Sequence, residues 1–127
     1  MKNLTRTIFL TLVILLGTTG TSWGADFDKG LDAAQSGDFA TALREWKPLA
    51  EQGDASAQFN LGLMYYDGKG VLQDYVYAHM WFNVVAFNGD EGGGKARDIV
   101  AKKMNATQLN KAQELARECV RKEYKGC

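Results

Sequence analysis

Apolar residues recur at helical spacing in the middle of the chain, in two stretches separated by a short segment rich in glycine. The first stretch follows Asp54 and the second follows Asp74. A short carboxylate at that position accepts hydrogen bonds from the free N–H groups of a helix's first turn. Gly89 follows the second stretch, where glycine adopts the left-handed conformation that ends a helix. The pattern predicts helices over residues 55–66 and 75–88, packed as an antiparallel hairpin.

The same pattern occurs 36 residues upstream. Residues of the same type recur at this fixed offset without a gap. The pairs are Asp38 and Asp74, Phe39 and Tyr75, Ala42 and Ala78, Trp46 and Phe82, Ala50 and Ala86, Gly53 and Gly89, and Asp54 and Asp90. A period in the thirties, with a helical hairpin in each unit, indicates a helical solenoid.

The central unit resembles a known repeat. The residues that carry the resemblance are Ala57-Gln58, Leu61-Gly62, Tyr65, Gly68, Gly70-Val71, Asp74-Tyr75, Ala78, Trp81-Phe82 and Ala86. They are similar to the Sel-one-like repeat (SLR), a relative of the tetratricopeptide repeat. The match covers residues 54–89; it is partial over 25–53, which lack the Gly-x-Gly-Val loop, and weak over 90–127. The resemblance implies an all-α, short right-handed α-solenoid of about three antiparallel hairpins that binds proteins or peptides without a cofactor.

The outer units add two predicted helices each, which makes about six helices in all and no strand. In the first unit they run from Asp26 or Asp28 to about Ser36, and from Asp38 to about Gln52. Pro48 falls inside the second of these, where it removes a hydrogen bond, so we expect a kink and not a break.

The last unit is harder to interpret. Asp90 and Glu91 favour a helix start, but each residue of Gly92–Gly94 costs up to about 1 kcal/mol of helix propensity. We therefore expect the helix to begin near Gly94 or Lys95 and to reach Lys103. A final helix begins after Asn105, and its apolar face contains Leu109, Ala112, Ala116, Cys119 and Val120.

Residues 1–24 have the features of a secretory signal peptide. Lys2 and Arg6 precede a short apolar run from Ile8 to Leu16, and Ser22-Trp23-Gly24 provides a cleavage pattern. The run is shorter than the ~20 residues that span a bilayer, so we expect no stable membrane anchor after cleavage. Residues 25–127 are then the repeat domain, in a periplasmic or secreted protein.

Export permits a disulfide between the two cysteines, Cys119 and Cys127. On one continuous helix they would lie about 12 Å apart, which is too far to join. Gly126 allows the chain to fold back, so we expect a bridge that attaches the tail to the last helix. The alternative is two thiols that are free or paired between molecules.

Charge is unevenly distributed, although the total cancels. Residues 25–94 contain four basic and eleven acidic residues, a net charge of −7, whereas residues 95–127 contain nine and four, a net charge of +5. Such a field orients a charged partner or favours head-to-tail oligomers. The basic part lacks interleaved aromatic residues, which argues against nucleic acid.

No residue set points to catalysis. Neither Ser36 nor Ser56 has a lysine three residues later. His79 is the only histidine and forms no recognised zinc spacing with the cysteines; we expect it to be partly exposed or hydrogen-bonded in place. The chain is therefore predicted not to be an enzyme. The alternative, from SLR relatives with many cysteines, is a binder or hydrolase of β-lactam or peptidoglycan compounds, which nitrocefin turnover would reveal.

The aromatic residues fall into two groups. Tyr65, Trp81 and Phe82 match repeat positions and are predicted to lie in the core, with Val71 tucked between the helices. A second group lies at positions that the SLR motif leaves open, and its spacing places it on one helical face. We interpret this face as a partner-binding groove with two polar neighbours; it comprises Phe59, Leu63 and Tyr66, with Asn60 and Asp67. The alternative is that the face is core, because a central helix is covered on both sides.

Overall fold

The structure, a computed structural model, describes residues 24–127. This part of the chain folds into six α-helices and contains no strand. They are α1 (Phe27–Gln35), α2 (Phe39–Glu51), α3 (Ala55–Asp67), α4 (Tyr75–Phe87), α5 (Glu91–Ala101) and α6 (Ala106–Arg121). The predicted all-α fold is confirmed. The predicted signal peptide lies outside the described residues except for Gly24.

Each helix begins at a short polar side chain that accepts hydrogen bonds from the first turn. Five of these N-caps are aspartates, and α6 has a full capping box in which Asn105 and Gln108 each accept from the other's backbone N–H. The side chains satisfy N–H groups that have no partner within the helix. α2 continues through Pro48, so the proline does not end it.

Successive helices from α1 to α5 pack against one another, and α6 packs along α4. α4 therefore lies at the centre, in contact with α3, α5 and α6. Trp81 and Phe82 on α4 are buried, as predicted, whereas Tyr65 is half-buried at the edge of the core. Val71 packs against the core from the loop, also as predicted.

Both N-terminal hairpins are held by a glycine that faces an aromatic ring. A Cβ atom on Gly30 would lie 2.5 Å from Trp46 Nε1, and one on Gly62 would lie 2.5 Å from Phe82 Cε1. The glycines are 32 residues apart and the rings 36 apart, because the loop between the two helices has three residues in the first hairpin and seven in the second. The two hairpins are thus equivalent, with the difference taken up in the loop.

The start of α5 corrects our expectation. The helix begins at Glu91 and not near Gly94 or Lys95, and it ends at Ala101. Asp90 Oδ1 accepts from the N–H groups of Gly92 and Gly93 at 2.7 and 3.2 Å. A Cβ atom on Gly93 would lie 2.9 Å from both Phe82 O and Ala86 N. The glycine lets α5 approach the backbone of α4, and this packing outweighs its low helix propensity.

The tail folds back on α6, as predicted from Gly126. Cys119 and Cys127 form a disulfide with their Cα atoms 5.6 Å apart. The turn also uses Glu123 and Tyr124, whose φ angles of 54° and 68° are left-handed. Tyr124 Oη donates to Asn88 Oδ1 at 3.1 Å. The disulfide thereby holds the tail against the end of α4.

Candidate functional site

Three exposed apolar side chains occupy equivalent positions on α1, α3 and α5. Leu31, Leu63 and Ile99 are 37%, 39% and 55% exposed. Leu63 follows Leu31 by 32 residues, the offset that relates the two hairpin glycines, and Ile99 follows Leu63 by 36, the period of the repeat. We call the surface formed by the exposed faces of α1, α3 and α5 the inner groove.

The N-terminal part of the inner groove is a depression of about 500 Å³. Phe27 and Leu31 line it from α1, and Phe59 and Asn60 line it from α3. Asp90, at the start of α5, completes its edge. This depression brings together side chains from three helices that are far apart in the sequence.

A second depression, of about 190 Å³, lies between α3 and α5. Leu63 and Tyr66 line it from α3, Ile99 and Val100 from α5, and Phe82 lies at its floor. Nearly all of its surface is apolar. A third hollow, of about 170 Å³, joins Leu63 to the end of α1 and to the loop after α3.

The five predicted groove residues all line these hollows. Phe59 and Tyr66 are half-buried, and their rings lie 5.2 and 5.5 Å from those of Phe82 and Tyr75. Asn60 is half-buried. Asp67 and Leu63 are exposed. The two aromatic residues therefore serve as both core edge and groove wall, and a role in binding stays a prediction.

Sequence reasoning missed the other two members of the apolar row, Leu31 and Ile99. The signal was present, but it required two different offsets, and the shorter loop of the first hairpin hides the first of them. Phe27 was missed for the same reason, since it precedes Phe59 by 32 residues.

The α5 wall of the groove is basic. Lys95, Lys102 and Lys103 are exposed there, at the positions that hold Phe59, Tyr66 and Asp67 on α3. Lys95 Nζ lies 3.5 Å from Glu91 Oε1, but its side chain keeps 74% of its exposure. The α1 wall instead carries an exposed acid, Asp28, at the position equivalent to Asn60.

A larger hollow, of about 640 Å³, lies between the start of α1 and the outer face of α2. Its charged side chains are partly paired, since Lys29 Nζ lies 3.4 Å from Glu45 Oε1. Glu45 Oε2 also accepts from the Asp26 N–H at 2.9 Å. This hollow has no repeated apolar row, so the inner groove is the better candidate site.

His79 corrects a second expectation. It is only 3% exposed, and its Nδ1 is buried without a hydrogen bond among the described residues. The prediction that it is partly exposed or hydrogen-bonded is wrong, because three helices pack around α4 and cover it. Burial lowers the pKa of His79, and the Arg97 guanidinium lowers it further, while Asp98 opposes the shift.

Two further searches of residues 24–127 bear on function. No group of three or more His, Cys, Asp or Glu side chains in this part of the chain is placed to hold a metal ion. None of its helices combines the length and apolar character that a bilayer crossing requires.

Comparisons with known proteins match this geometry. Residues 55–83 match the family model of the Sel1 repeat. The chain is also similar to the crystal structure of a protective antigen of uropathogenic Escherichia coli strains that displays an SLR fold, with 35% sequence identity and a TM-score of 0.70. The likeness covers 77% of this chain but only 22% of the antigen. No curated protein matches the chain. The resemblance to the SLR is confirmed, and such repeats are protein-interaction modules.

Proposed function

We propose that this chain, which contains a Sel1 repeat within an SLR-type helical fold, is an exported module that binds a protein or peptide through the inner groove. In this proposal the chain acts as an adaptor and catalyses no reaction. Its partner supplies apolar side chains that cover the row formed by Leu31, Leu63 and Ile99.

The apolar row is the observation that carries this proposal. Single exposed apolar residues are common on protein surfaces and need no explanation. Here, however, three of them recur at equivalent positions and lie in or beside depressions. Concave apolar surface with a few polar groups at its edge is typical of binding sites.

Export is supported by two features. The predicted signal peptide at residues 1–24 would direct the chain out of the cytoplasm. The disulfide between Cys119 and Cys127 is of a kind that persists in oxidising compartments. Both features agree with a periplasmic or secreted protein.

Selection of peptides from a displayed random library on the purified protein tests the binding function. We expect selected peptides to bind the wild type and to bind Leu63→Asp at least tenfold more weakly, because the carboxylate is forced against their apolar side chains. Leu72→Asp is the matched control, since Leu72 is 91% exposed on the loop after α3 and outside the groove. Its binding should be unchanged.

Thermal unfolding of both variants serves as the stability control, because substitutions at exposed positions change the free energy of unfolding by about 0.5 kcal/mol or less. Peptides that bind Leu63→Asp as tightly as the wild type would show that the groove is not their site. Failure to select any peptide would remove peptide binding as a function of the chain.

A further inference from the structure

We propose that the preferred partner of the inner groove is an extended peptide segment with an apolar residue at every third position and acidic residues at the end that lies over α5. This inference rests on the proposed function, and it specifies the chemistry of the partner. It follows from the direction of the apolar row and from the charge of the α5 wall.

The direction of the row sets the spacing of the partner's anchors. Leu31, Leu63 and Ile99 lie on three different helices, so a segment that contacts all three crosses the helices and does not run along one of them. Neighbouring packed helices lie roughly 10 Å apart. A polyproline II segment has three residues per turn and rises about 3.1 Å per residue, so residues i and i+3 lie on one face about 9 Å apart. Its period matches the row.

The charge of the walls sets the orientation. Exposed lysines flank Ile99 on α5 at Lys95, Lys102 and Lys103. The equivalent positions on α1 are Phe27, Ala34 and Gln35, none of them charged. Asp28 makes the α1 wall the acidic one. A segment with its carboxylates at the α5 end satisfies both walls, whereas the reverse orientation places acid beside Asp28.

The nearby acidic groups do not cancel the lysines. Glu91 pairs with Lys95, but both side chains remain largely exposed at 86% and 74%. Asp98 lies 3.2 Å from Arg97 Nε, which leaves the three lysines outside that pair. The described α5 helix and the turn after it therefore present a net positive edge to the groove.

Fluorescence anisotropy with three labelled synthetic decapeptides tests the inference. The first has leucine at positions 2, 5 and 8 and two glutamates at its end; the second replaces the glutamates with lysines; the third keeps the first composition with the leucines at consecutive positions. At low ionic strength we expect the glutamate peptide to bind about tenfold more tightly than the lysine peptide, and the difference to shrink with added salt. The consecutive-leucine peptide should also bind more weakly.

The double variant Lys102→Glu and Lys103→Glu should abolish or reverse the preference for glutamate, while Lys47→Glu on the outer face of α2 should leave it unchanged. Both variants change exposed residues, and circular dichroism verifies that they fold. Equal binding of the glutamate and lysine peptides overturns the inferred chemistry even if both bind, which leaves the proposed function intact. Equal binding of the spaced and consecutive peptides overturns the inferred conformation. If none of the three binds while library peptides do, the inference fails and the proposed function stands.

Discussion

The two walls of the inner groove differ in how firmly the fold holds them. α3 packs on both α2 and α4, and five of its residues are buried. α5 packs mainly on α4, and only Gly93 and Val100 are buried. Local stability follows the amount of buried apolar contact. The groove therefore combines a firmly held central wall with a basic end wall that is attached along one side.

Glycine has a different task in each wall. Gly62 on α3 leaves room for the ring of Phe82, a side chain that can shift. Gly93 on α5 leaves room for the backbone of α4, which cannot shift without distorting a buried helix. The attachment of α5 thus depends on one missing methyl group, whereas the attachment of α3 is spread over many contacts.

Replacing Phe82 with alanine should have the largest effect, because the ring is shared by the central wall and the groove floor. Phe82 is 1% exposed, contacts Phe59 and lies beneath Leu63 and Val100. We expect a loss of about 3–5 kcal/mol in the free energy of unfolding, measured by urea denaturation. Phe87→Ala on the same helix is the control, since Phe87 is 54% exposed. A loss below about 1 kcal/mol for Phe82→Ala would contradict its central role.

Replacing Gly93 with alanine separates packing from helix propensity. Alanine favours a helix by up to about 1 kcal/mol, but here its Cβ would meet the α4 backbone at 2.9 Å. We expect a net loss of about 1–3 kcal/mol in the free energy of unfolding. At Gly94 the nearest atom to a Cβ is Arg97 Nη2, at 3.8 Å, so Gly94→Ala should stabilise the protein. The same sign for both variants would refute the close approach of α5.

Mild acid should weaken the contact between α4 and α5 by a smaller amount. His79 has its pKa below the ordinary 6.5, because its protonated form would be buried near Arg97, which donates to Asn83 one turn away at 3.1 Å. The unfolded chain then binds a proton that the folded chain refuses. The free energy of unfolding is therefore highest above pH 6.5 and falls as the pH drops below it, by at most about 1.4 kcal/mol per pH unit.

Urea denaturation between pH 7.5 and 5.5 measures this effect, and the NMR titration of the only histidine assigns it. The charged groups that act on His79 are Arg97 and Asp98 on α5; α4 has no other charged side chain, α3 has only the exposed Asp67, and those of α6 are exposed apart from half-buried Glu118. His79→Gln should remove the pH dependence in this range. A histidine that titrates at or above 6.5 would show that the buried site tolerates the cation.

Sequence alone was sufficient where local chemistry decides the outcome. Capping residues such as Asp54 and Asn105 marked helix starts, and the tail bridge between Cys119 and Cys127 followed from two cysteines and a nearby glycine. The repeat offset identified Phe82 as core and placed Leu63 on the surface that became the groove. These features depend on residues close together in the chain or on a fixed period.

Tertiary structure decided the features that depend on packing between units. Gly93 is unfavourable in an isolated helix and favourable beside α4, so the start of α5 could not be read from propensity. The burial of His79 depends on which helices cover α4, and no local pattern specifies that. The full row of Leu31, Leu63 and Ile99 also needed the fold, because two loop lengths separate its members in sequence while packing aligns them in space. Residue type and spacing thus determine which helices form, and the contacts between helices determine which side chains share a surface.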